Sequence, residues 1–459
     1  MKFAPYKNLL KIHPATLIIS SFAGLITIGT LLLKLPMAAA AGQIPLIDAV
    51  FMAASAVCVT GLTVVDTGNC FTAFGQGVIL VLIQIGGLGV MTVSVMLFKL
   101  VGRSIGFRQR KALQDMFAHT PRKDIFHLLK TIFIFTAIAE SIGAGLLFIY
   151  WLRFFPAEKA LYLAVFHSIS AFSNAGFSVF SDNLCQARAH WLPNFTLCLL
   201  IILGGIGFPV ANDVYYRLKS SRENSRPRLS VQTKVVLTTT LVLIVFGAAG
   251  FWILEQPHIL AGRSLSEALL ISVFQSVTCR TAGFNTVDIA RLTDATLMMM
   301  LVLMFFGASP GSCGGGIKTT SIALIAAFTV SRIRKKKRVS LFKKSIPAET
   351  VSRCVSLILV CSSLIGVILF LILAGNSLGN SPHVDMDNHF MAYLFETVSA
   401  FGTVGLSMGV TSTLSLWGKC WIIALMFIGR VGVLTFAYIV VGGGIASGIE
   451  YSEENIMIG

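Results

Sequence analysis

The stretch SVFQSVTCRTAGFNTV, at positions 272–287, is too short to cross a membrane, although it follows a long apolar run. Its first part is moderately apolar, and its second part centres on Gly283 and has neither helical nor strand periodicity. A transmembrane helix needs about 20 apolar residues. Non-helical backbone at membrane depth persists only where it is buried in protein or lines water. The stretch therefore predicts a re-entrant loop, in which a short helix enters the membrane and an extended segment leaves it.

The same order of features occurs three more times along the chain. In each copy a moderately apolar segment precedes a glycine that is followed by Leu or Phe, and the copies recur at intervals of about 115 residues. A second apolar, glycine-bearing stretch follows about 25 residues later, as expected of a true repeat. The other copies read FMAASAVCVTGLTV from Phe51, FHSISAFSNAGFSV from Phe166 and LFETVSAFGTVGLSM from Leu394; the four glycines are Gly61, Gly176, Gly283 and Gly405, and the later ones are Gly86, Gly204, Gly307 and Gly429. The chain therefore contains a fourfold internal repeat.

The composition is that of a polytopic membrane protein. Hydrophobic residues make up 55% of the 459 residues and charged residues 12%, and the mean hydropathy is +0.82. A water-soluble domain of this size does not have such values. Apolar runs at 14–33, 126–151, 235–254 and 355–373 approach the length of a membrane span. We therefore expect a multi-pass protein of the cell membrane, surrounded by the lipid bilayer.

The net charge of +16 follows the positive-inside rule and does not indicate a nucleic-acid-binding protein. Most Lys and Arg residues lie in alternate loops, before residue 12 and within residues 99–130, 217–234 and 332–353. This distribution predicts that both termini are cytoplasmic. Three further bases lie in apolar segments, where a charge is costly and indicates a functional role; they are Arg280, Lys318 and Arg430.

These patterns predict an all-α membrane protein made of four tandem repeats of helix, pore loop and helix around a central pore. The predicted architecture has eight transmembrane spans and four re-entrant pore helices. The repeats cover residues 1–105, 106–220, 221–345 and 346–459; the third contains an intramembrane gate loop at 307–317, and the fourth ends in a short cytoplasmic C-terminus.

Four pore loops around one axis predict a cation filter. The partially negative C-terminus of each short helix favours a cation at the centre. The extended residues that follow can replace the hydration shell of the ion with backbone carbonyl oxygens, and glycine permits the positive φ that turns successive carbonyls to one side. The predicted filter residues are Val59, Thr60, Gly61, Asn174, Ala175, Gly176, Thr281, Ala282, Gly283, Thr403, Val404 and Gly405.

The segments VTGL, NAGF, RTAGF and TVGLS, in this order, resemble the four filter segments of the Trk/Ktr/HKT superfamily of potassium transporters. GRVGVLT, at 429–435, resembles the last pore-lining helix of that superfamily. The compact length is similar to that of the membrane subunit of the Ktr system. Valine at position 433 stands where relatives commonly have proline.

The resemblance implies potassium uptake, often stimulated by sodium, with K+ at the filter carbonyls. It further implies a homodimer on a cytoplasmic ring of regulatory subunits that bind ATP/ADP or NAD(H), and no cofactor on this chain. Glycine at all four filter positions favours potassium, because sodium-preferring relatives often carry serine at the first. A sodium or non-selective monovalent cation transporter is the alternative.

The stretch GASPGSCGGGIK, at 307–318, predicts a break in the second span of the third repeat. Proline removes a helix donor, and each glycine costs about 1 kcal/mol relative to alanine in a helix. No other second span is expected to break in this way. The unpaired backbone needs water or protein partners, so we expect a gate loop facing the pore, with helix resuming near Thr319. The predicted gate residues are Gly311, Ser312, Gly314, Gly315, Gly316 and Lys318, together with Arg430 of the last repeat.

Four ionisable residues in apolar segments leave alternatives open. Arg280 either has a structural role, through a buried acid or carbonyl partner, or controls ion entry directly. His167 is either a hydrogen-bonded structural histidine or a proton relay. Glu140 and Glu396 either line the ion path or pack beside a base.

Two other functional classes compete with the ion pore. A secondary carrier more often has two inverted halves with broken helices, whereas the four repeats here run in the same sense. An enzyme needs facing catalytic groups, and the apolar segments contain neither an HExxH motif nor a cluster of His, Asp and Glu. The GSCGGGIKTT stretch differs from a phosphate-binding loop because Ile317 separates its glycine from its lysine. The chain is therefore not expected to be an enzyme.

Overall fold

Four long apolar helices, each largely exposed along its length, coincide with the predicted first spans. The computed structural model of the chain describes residues 14–89, 92, 125–220, 228–336, 338–378 and 389–432, most of them helical. Four of the described helices are long and apolar enough to cross a membrane, or five if one bent pair counts as a single span. The long helices are Pro14–Leu33, Ile125–Trp151, Val231–Glu255 and Ala348–Leu378.

A short helix follows each long helix and packs against it. The short helices bury the same face in every repeat, because a phenylalanine at the equivalent position of each is at most 1% exposed. Such a fully buried aromatic fixes the rotation of a helix about its axis. The short helices are Leu46–Val57, Ala157–Phe172, Leu265–Thr278 and His389–Gly402, and their phenylalanines are Phe51, Phe166, Phe274 and Phe395.

A third helix, which we call the inner helix, completes each repeat. The inner helices are Ala73–Leu88, Trp191–Ile206, Asp294–Phe305 and Leu416–Val431. In three repeats the inner helix ends at a glycine with positive φ: Gly89 at 87°, Gly207 at 96° and Gly432 at 98°. Because these helices end within the apolar stretches, the count of eight spans stays a prediction.

The second span of the second repeat also breaks, at a single glycine, which the sequence did not indicate. In the second repeat the chain bends by 97° between Trp191–Ile206 and Phe208–Arg217. A glycine in the left-handed region ends a helix at little cost. The third repeat differs in the length of its break, which runs from Phe306 to Lys318 before helix resumes at Thr319–Ile333, as predicted.

Glycines let three inner helices touch the ends of their own short helices. A Cβ on Gly86, Gly204 or Gly429 would lie closer than 3.0 Å to a carbonyl oxygen at or next to the end of that short helix. Backbone can approach backbone this closely only where no side chain intervenes. The repeated glycines of the second apolar stretches therefore serve packing within each repeat.

The repeats close into a ring. The inner helix of each repeat packs against the short helix of the next, and the inner helix of the fourth repeat packs against the short helix of the first. An ion pair reinforces that last contact, with Lys419 Nζ 2.7 Å from Asp48 Oδ1 and both side chains largely buried. The order of repeats along the chain is therefore their order around the ring.

Shorter elements connect these helices. Phe208–Ser220 follows the bend of the second repeat, and a two-stranded hairpin, Ser340–Leu341 with Lys344–Ser345, follows Thr319–Ile333. Asp213 Oδ2 accepts hydrogen bonds from the Ser230 amide, at 3.0 Å, and from Thr233 Oγ1, at 2.6 Å. These bonds attach the bent segment to the start of the third long helix.

Candidate functional site

The four predicted filter glycines meet at the centre of the ring. A Cβ built on any one of them would lie closer than 3.0 Å to the carbonyl oxygen that precedes the glycine of the neighbouring repeat. The contacts run in cyclic order, from Gly61 to Ala175, from Gly176 to Ala282, from Gly283 to Val404 and from Gly405 to Thr60. Each position thus requires glycine for two reasons: the carbonyl of the neighbouring repeat leaves no room for a Cβ, and the backbone has positive φ.

The backbone of every filter segment enters the left-handed region twice. The glycines have φ of 91°, 69°, 76° and 92° in chain order, which confirms the predicted positive φ. The residue two positions earlier also has positive φ: 56° at Val59, 59° at Asn174, 65° at Thr281 and 49° at Thr403. Such values are rare for β-branched residues and cost about 1–3 kcal/mol each, and they cluster at functional sites.

The sequence predicts these four residues as part of the filter but does not predict their positive φ. Their shared register, two residues before each filter glycine, was the available signal, but their side chains have no common property. The pattern of left-handed residues at positions i−2 and i turns the intervening carbonyls in a regular way, as carbonyl-lined filters require.

Hydroxyl groups of the short helices hold the filter segments in place. Ser55 Oγ accepts a hydrogen bond from the Gly61 amide and Ser399 Oγ from the Gly405 amide, both at 3.1 Å. In the other two repeats the hydroxyl is the donor: Ser170 Oγ donates to the Phe177 carbonyl at 2.8 Å, and Thr278 Oγ1 to the Phe284 carbonyl at 2.6 Å. All four hydroxyl-bearing residues are buried, so these bonds form away from water and position the filter backbone.

An open cavity of about 570 Å³ lies over one side of the filter. Its lining includes all four filter glycines and three carboxylates, Asp66, Asp182 and Asp288. A cleft lined by one sign of charge raises the local concentration of the opposite ion. The cavity is therefore suited to collect cations in front of the filter.

The predicted gate loop, which follows the third inner helix, packs against the predicted filter segments. A Cβ on Gly314 would collide with the side chain of Thr281, and a Cβ on Gly315 with that of Thr403. The Gly315 amide donates to Thr403 Oγ1 at 2.9 Å. The loop is thus in direct contact with the strained filter residues of the third and fourth repeats.

Backbone hydrogen bonds tie the same loop to the breaks of other inner helices. The Ser309 and Cys313 amides donate to the carbonyls of Gly205 and Gly204, both at 3.1 Å, and the Phe208 amide donates to the Gly311 carbonyl at 3.0 Å. These partners satisfy donors that the helix break leaves free. The loop packs inside the protein, since Ala308, Cys313 and Ile317 are at most 2% exposed. Its predicted position facing the pore stays a prediction.

Two bases hold the loop through its carbonyl groups. Lys318 Nζ donates to the Gly314 carbonyl at 2.8 Å and to the Gly315 carbonyl at 3.3 Å. The guanidinium of Arg430 donates to the Cys313 carbonyl and to the Gly86 carbonyl at the break of the first inner helix. Arg430 therefore links the loop to the first and fourth repeats at once. Residue 433, the predicted departure from the superfamily pattern, lies outside the described residues.

On the prediction that this loop is a gate, we expect Arg430→Ala to raise cation flux about tenfold or more, because a charge-assisted hydrogen bond contributes about 1.5–3 kcal/mol and its loss frees the loop. Flux through purified protein in liposomes measures this effect, with membrane yield measured in parallel. Arg353→Ala is the matched control, because Arg353 is an exposed arginine that pairs only with Glu349 in the described structure. Kinetics unchanged from those of the control would assign Arg430 a purely structural role.

The other ionisable groups that the sequence analysis singled out bond to neutral partners. Arg280 is 4% exposed and its Nη2 donates to Thr240 Oγ1 at 3.2 Å, so the recorded partner is a hydroxyl and not the expected acid or carbonyl. Glu140 accepts from Gln84 Nε2 at 3.1 Å and not from a base. His167 contacts the Leu163 carbonyl at 2.8 Å, which fits the structural alternative. Within the described ranges, no group of three or more His, Cys, Asp and Glu residues is arranged to hold a metal ion.

Comparison with known proteins agrees with this architecture. The family model of TrkH, described as a cation transport protein, matches residues 8–441. Ktr system potassium uptake protein B of Bacillus subtilis (strain 168) is 39% identical over 427 residues, 93% of this chain and 92% of the relative. The potassium/sodium uptake protein NtpJ of Enterococcus hirae is 34% identical over 455 residues, covering 98% of each chain.

The fold also matches a solved structure. The crystal structure of the potassium transporter TrkH from Vibrio parahaemolyticus aligns with a TM-score of 0.71 at 16% identity, over 96% of this chain and 86% of that one. The competing enzyme class is excluded by this family membership. The chain belongs to the TrkH family of cation transport proteins and is similar over nearly its whole length to membrane proteins of the Ktr system.

Proposed function

We propose that this chain takes potassium ions into the cell through the ring formed by its four filter segments. The observation that carries the proposal is the cyclic contact of Gly61, Gly176, Gly283 and Gly405 with the carbonyl that precedes the next glycine. A ring of backbone carbonyls replaces the hydration shell of a cation without any side-chain ligand. The acidic cavity over the ring supplies the ion from outside the cell.

In this proposal the loop at 307–317 is the gate. It touches Thr281 and Thr403 of the filter, and Lys318 and Arg430 hold its carbonyls. A displacement of the loop breaks these bonds and opens the path behind the filter. The helix that follows, Thr319–Ile333, ends in the basic segment before the hairpin, so it connects the gate to a surface that a partner can pull.

The partner in this proposal is a cytoplasmic ring of nucleotide-binding subunits on which a homodimer of this chain rests. The basic residues at 332–353 support a cytoplasmic position for the hairpin and, with it, for both termini. The nucleotide, ATP/ADP or NAD(H), is bound by the partner and not by this chain. Its exchange moves Thr319–Ile333 and thereby the loop.

A potassium/sodium or non-selective transporter is the second candidate, favoured by the similarity to the protein named potassium/sodium uptake protein NtpJ. Glycine at all four filter positions favours potassium over this alternative, because no side chain reduces the number of carbonyls that face the ion. Sodium as a stimulating ion is compatible with either candidate.

Uptake of radioactive rubidium by purified protein in liposomes tests the proposal. We expect saturable rubidium uptake that potassium suppresses and that an equal concentration of sodium leaves largely unchanged. Equal suppression by the two ions would establish the non-selective alternative. No uptake with or without a nucleotide-binding partner, in protein that has inserted correctly, would contradict the proposed function.

A further inference from the structure

Three of the four short helices place a buried polar side chain behind the outer end of their filter segment. The position is the one directly after the buried phenylalanine of each short helix. His167 Nε2 lies 3.0 Å from Ser178 Oγ, Gln275 Nε2 donates to Thr286 Oγ1 at 3.3 Å, and Glu396 accepts from Ser407 Oγ at 2.8 Å. All three short-helix residues are fully buried. The equivalent residue of the first repeat is Met52, so the first repeat lacks a polar side chain at this position.

The fourth repeat has the most extensive of these contacts. Both carboxylate oxygens of Glu396 are bonded, one to Ser407 and the other to Thr411 Oγ1. The Ser407 hydroxyl also accepts from the Gly409 amide at 2.9 Å. Ser407, Gly409 and Thr411 all line the cavity over the filter. The carboxylate therefore sits directly behind one wall of that cavity.

The same repeat lacks an acid on the cavity surface. Five or six positions after the filter glycine, the first three repeats have Asp66, Asp182 and Asp288, and each lines the cavity. The fourth repeat has Val410 and Thr411 at those positions. Thr411 is one of the two residues that bond to Glu396. In the fourth repeat the carboxyl group nearest the cavity thus comes from the short helix. It is separated from the cavity by the hydroxyl of Thr411, to which it is bonded.

We propose that Glu396 is a specificity-determining positioning residue. Its carboxyl group holds the segment after Gly405 in place through Ser407 and Thr411, and in its ionised form it supplies the negative charge that the fourth repeat lacks at the cavity surface. The charge raises the occupancy of the outer mouth by cations, and the two hydrogen bonds keep the filter carbonyls of this repeat at their distance from the ion. This inference rests on the proposed function, because it concerns the same filter.

Two variants separate the charge from the hydrogen bonds. Glu396→Gln removes the charge and keeps the shape, and Gln275 occupies the equivalent position of the third repeat, where it bonds to Thr286. Ser407→Ala removes a bond and keeps the charge. Ser412→Ala is the matched control, because this exposed hydroxyl lines the same cavity and bonds only to the Gly409 carbonyl, at 3.5 Å, in the described structure.

Rubidium uptake is measured against rubidium concentration, at low and high ionic strength, and in competition with sodium. For Glu396→Gln we expect the half-saturating concentration to rise about threefold to tenfold at low ionic strength, with a smaller effect at high ionic strength and the maximal rate within about twofold. For Ser407→Ala we expect the preference for rubidium over sodium to fall about threefold or more, with little change in ionic-strength dependence.

The inference is overturned if both variants match Ser412→Ala in affinity, selectivity and ionic-strength dependence. It is also overturned if Glu396→Gln lowers only the amount of inserted protein and leaves the kinetics per molecule unchanged. Uptake by the wild-type protein distinguishes a failure of this inference from a failure of the proposed function. If it takes up no rubidium, the proposed function fails; if it transports normally and the variants do not differ from the control, only the role of Glu396 fails.

Discussion

Replacement of Gly405 by serine is expected to lower the preference for rubidium over sodium by about tenfold, equivalent to about 1.4 kcal/mol of differential binding. Aspartate at the same position is expected to have a larger effect. The reason is geometric: Gly405 has φ of 92°, and a Cβ there collides with the Thr60 carbonyl. That carbonyl precedes the filter glycine of the first repeat, so one substitution distorts two of the four segments. Competition between rubidium and sodium in liposomes measures the change.

Gly42→Ser is the matched control for this experiment. Gly42 has φ of 89°, and a Cβ built on it meets no atom within 4 Å. It lies outside the filter segments and reports the cost of backbone strain without the collision, so we expect the selectivity of this variant to stay close to that of the wild type. The filter assignment would be wrong if serine at each of Gly61, Gly176, Gly283 and Gly405 left potassium affinity and selectivity intact.

Deletion of residues 311–316 is expected to raise potassium flux about tenfold or more and to make it less dependent on the cytoplasmic partner. The deletion removes the Cys313 carbonyl that Arg430 binds and both carbonyls that Lys318 binds. Loss of a few charge-assisted hydrogen bonds is enough to shift a two-state gate by that factor. Rubidium uptake with and without the partner is the measurement.

A single substitution provides a gentler form of the same test. Lys318→Met keeps the length of the loop and removes the ammonium group that holds it, so we expect a smaller rise in flux in the same direction. Lys159→Met, at the exposed start of the second short helix, is the control for the loss of a lysine. The loop would not be a gate if the deletion inserted normally, conducted no faster and stayed dependent on the partner.

The filter glycines were predictable from the sequence because their requirement is local. A backbone that turns successive carbonyls to one side needs positive φ, and only glycine adopts it freely. The residues two positions earlier adopt positive φ as well, but Val59, Asn174, Thr281 and Thr403 give no sign of it. Their conformation is imposed by the surrounding short helices and loop, which the sequence does not place.

The break of the third inner helix was predictable for a similar reason, and the other breaks were not. Proline and several glycines predict the break before Lys318. In contrast, the other breaks occur at single glycines inside apolar stretches, namely Gly89, Gly207 and Gly432. One glycine in an apolar helix is tolerated, so periodicity alone does not identify it as an end. Hydrogen bonds from a loop about 100 residues later in the chain meet the 97° bend in the second repeat, and the sequence does not show such long-range partners.

Partners of the buried charges were the least predictable part of the site. Arg430 binds carbonyls of Cys313 and Gly86, and Glu140 binds Gln84. The sequence shows that such buried charges need partners, but it does not show which backbone carbonyls can reach them. Backbone carbonyls become available as partners only where helices end inside the membrane, and those ends follow from tertiary packing.

The contact that closes the ring has a consequence for the synthesis of the protein. Asp48 and Lys419 are 371 positions apart, so at about 5–20 residues per second the ribosome makes the second partner on the order of 20 to 70 s after the first. During that interval Asp48 lacks Lys419, the base with which it pairs in the folded chain. Such an unpaired charge is costly in lipid, so we expect the insertion machinery or a chaperone to shield the first quarter until the last inner helix arrives. A nascent chain that stopped just before Lys419 would contain all four filter glycines but would lack the ion pair that reinforces the closed ring.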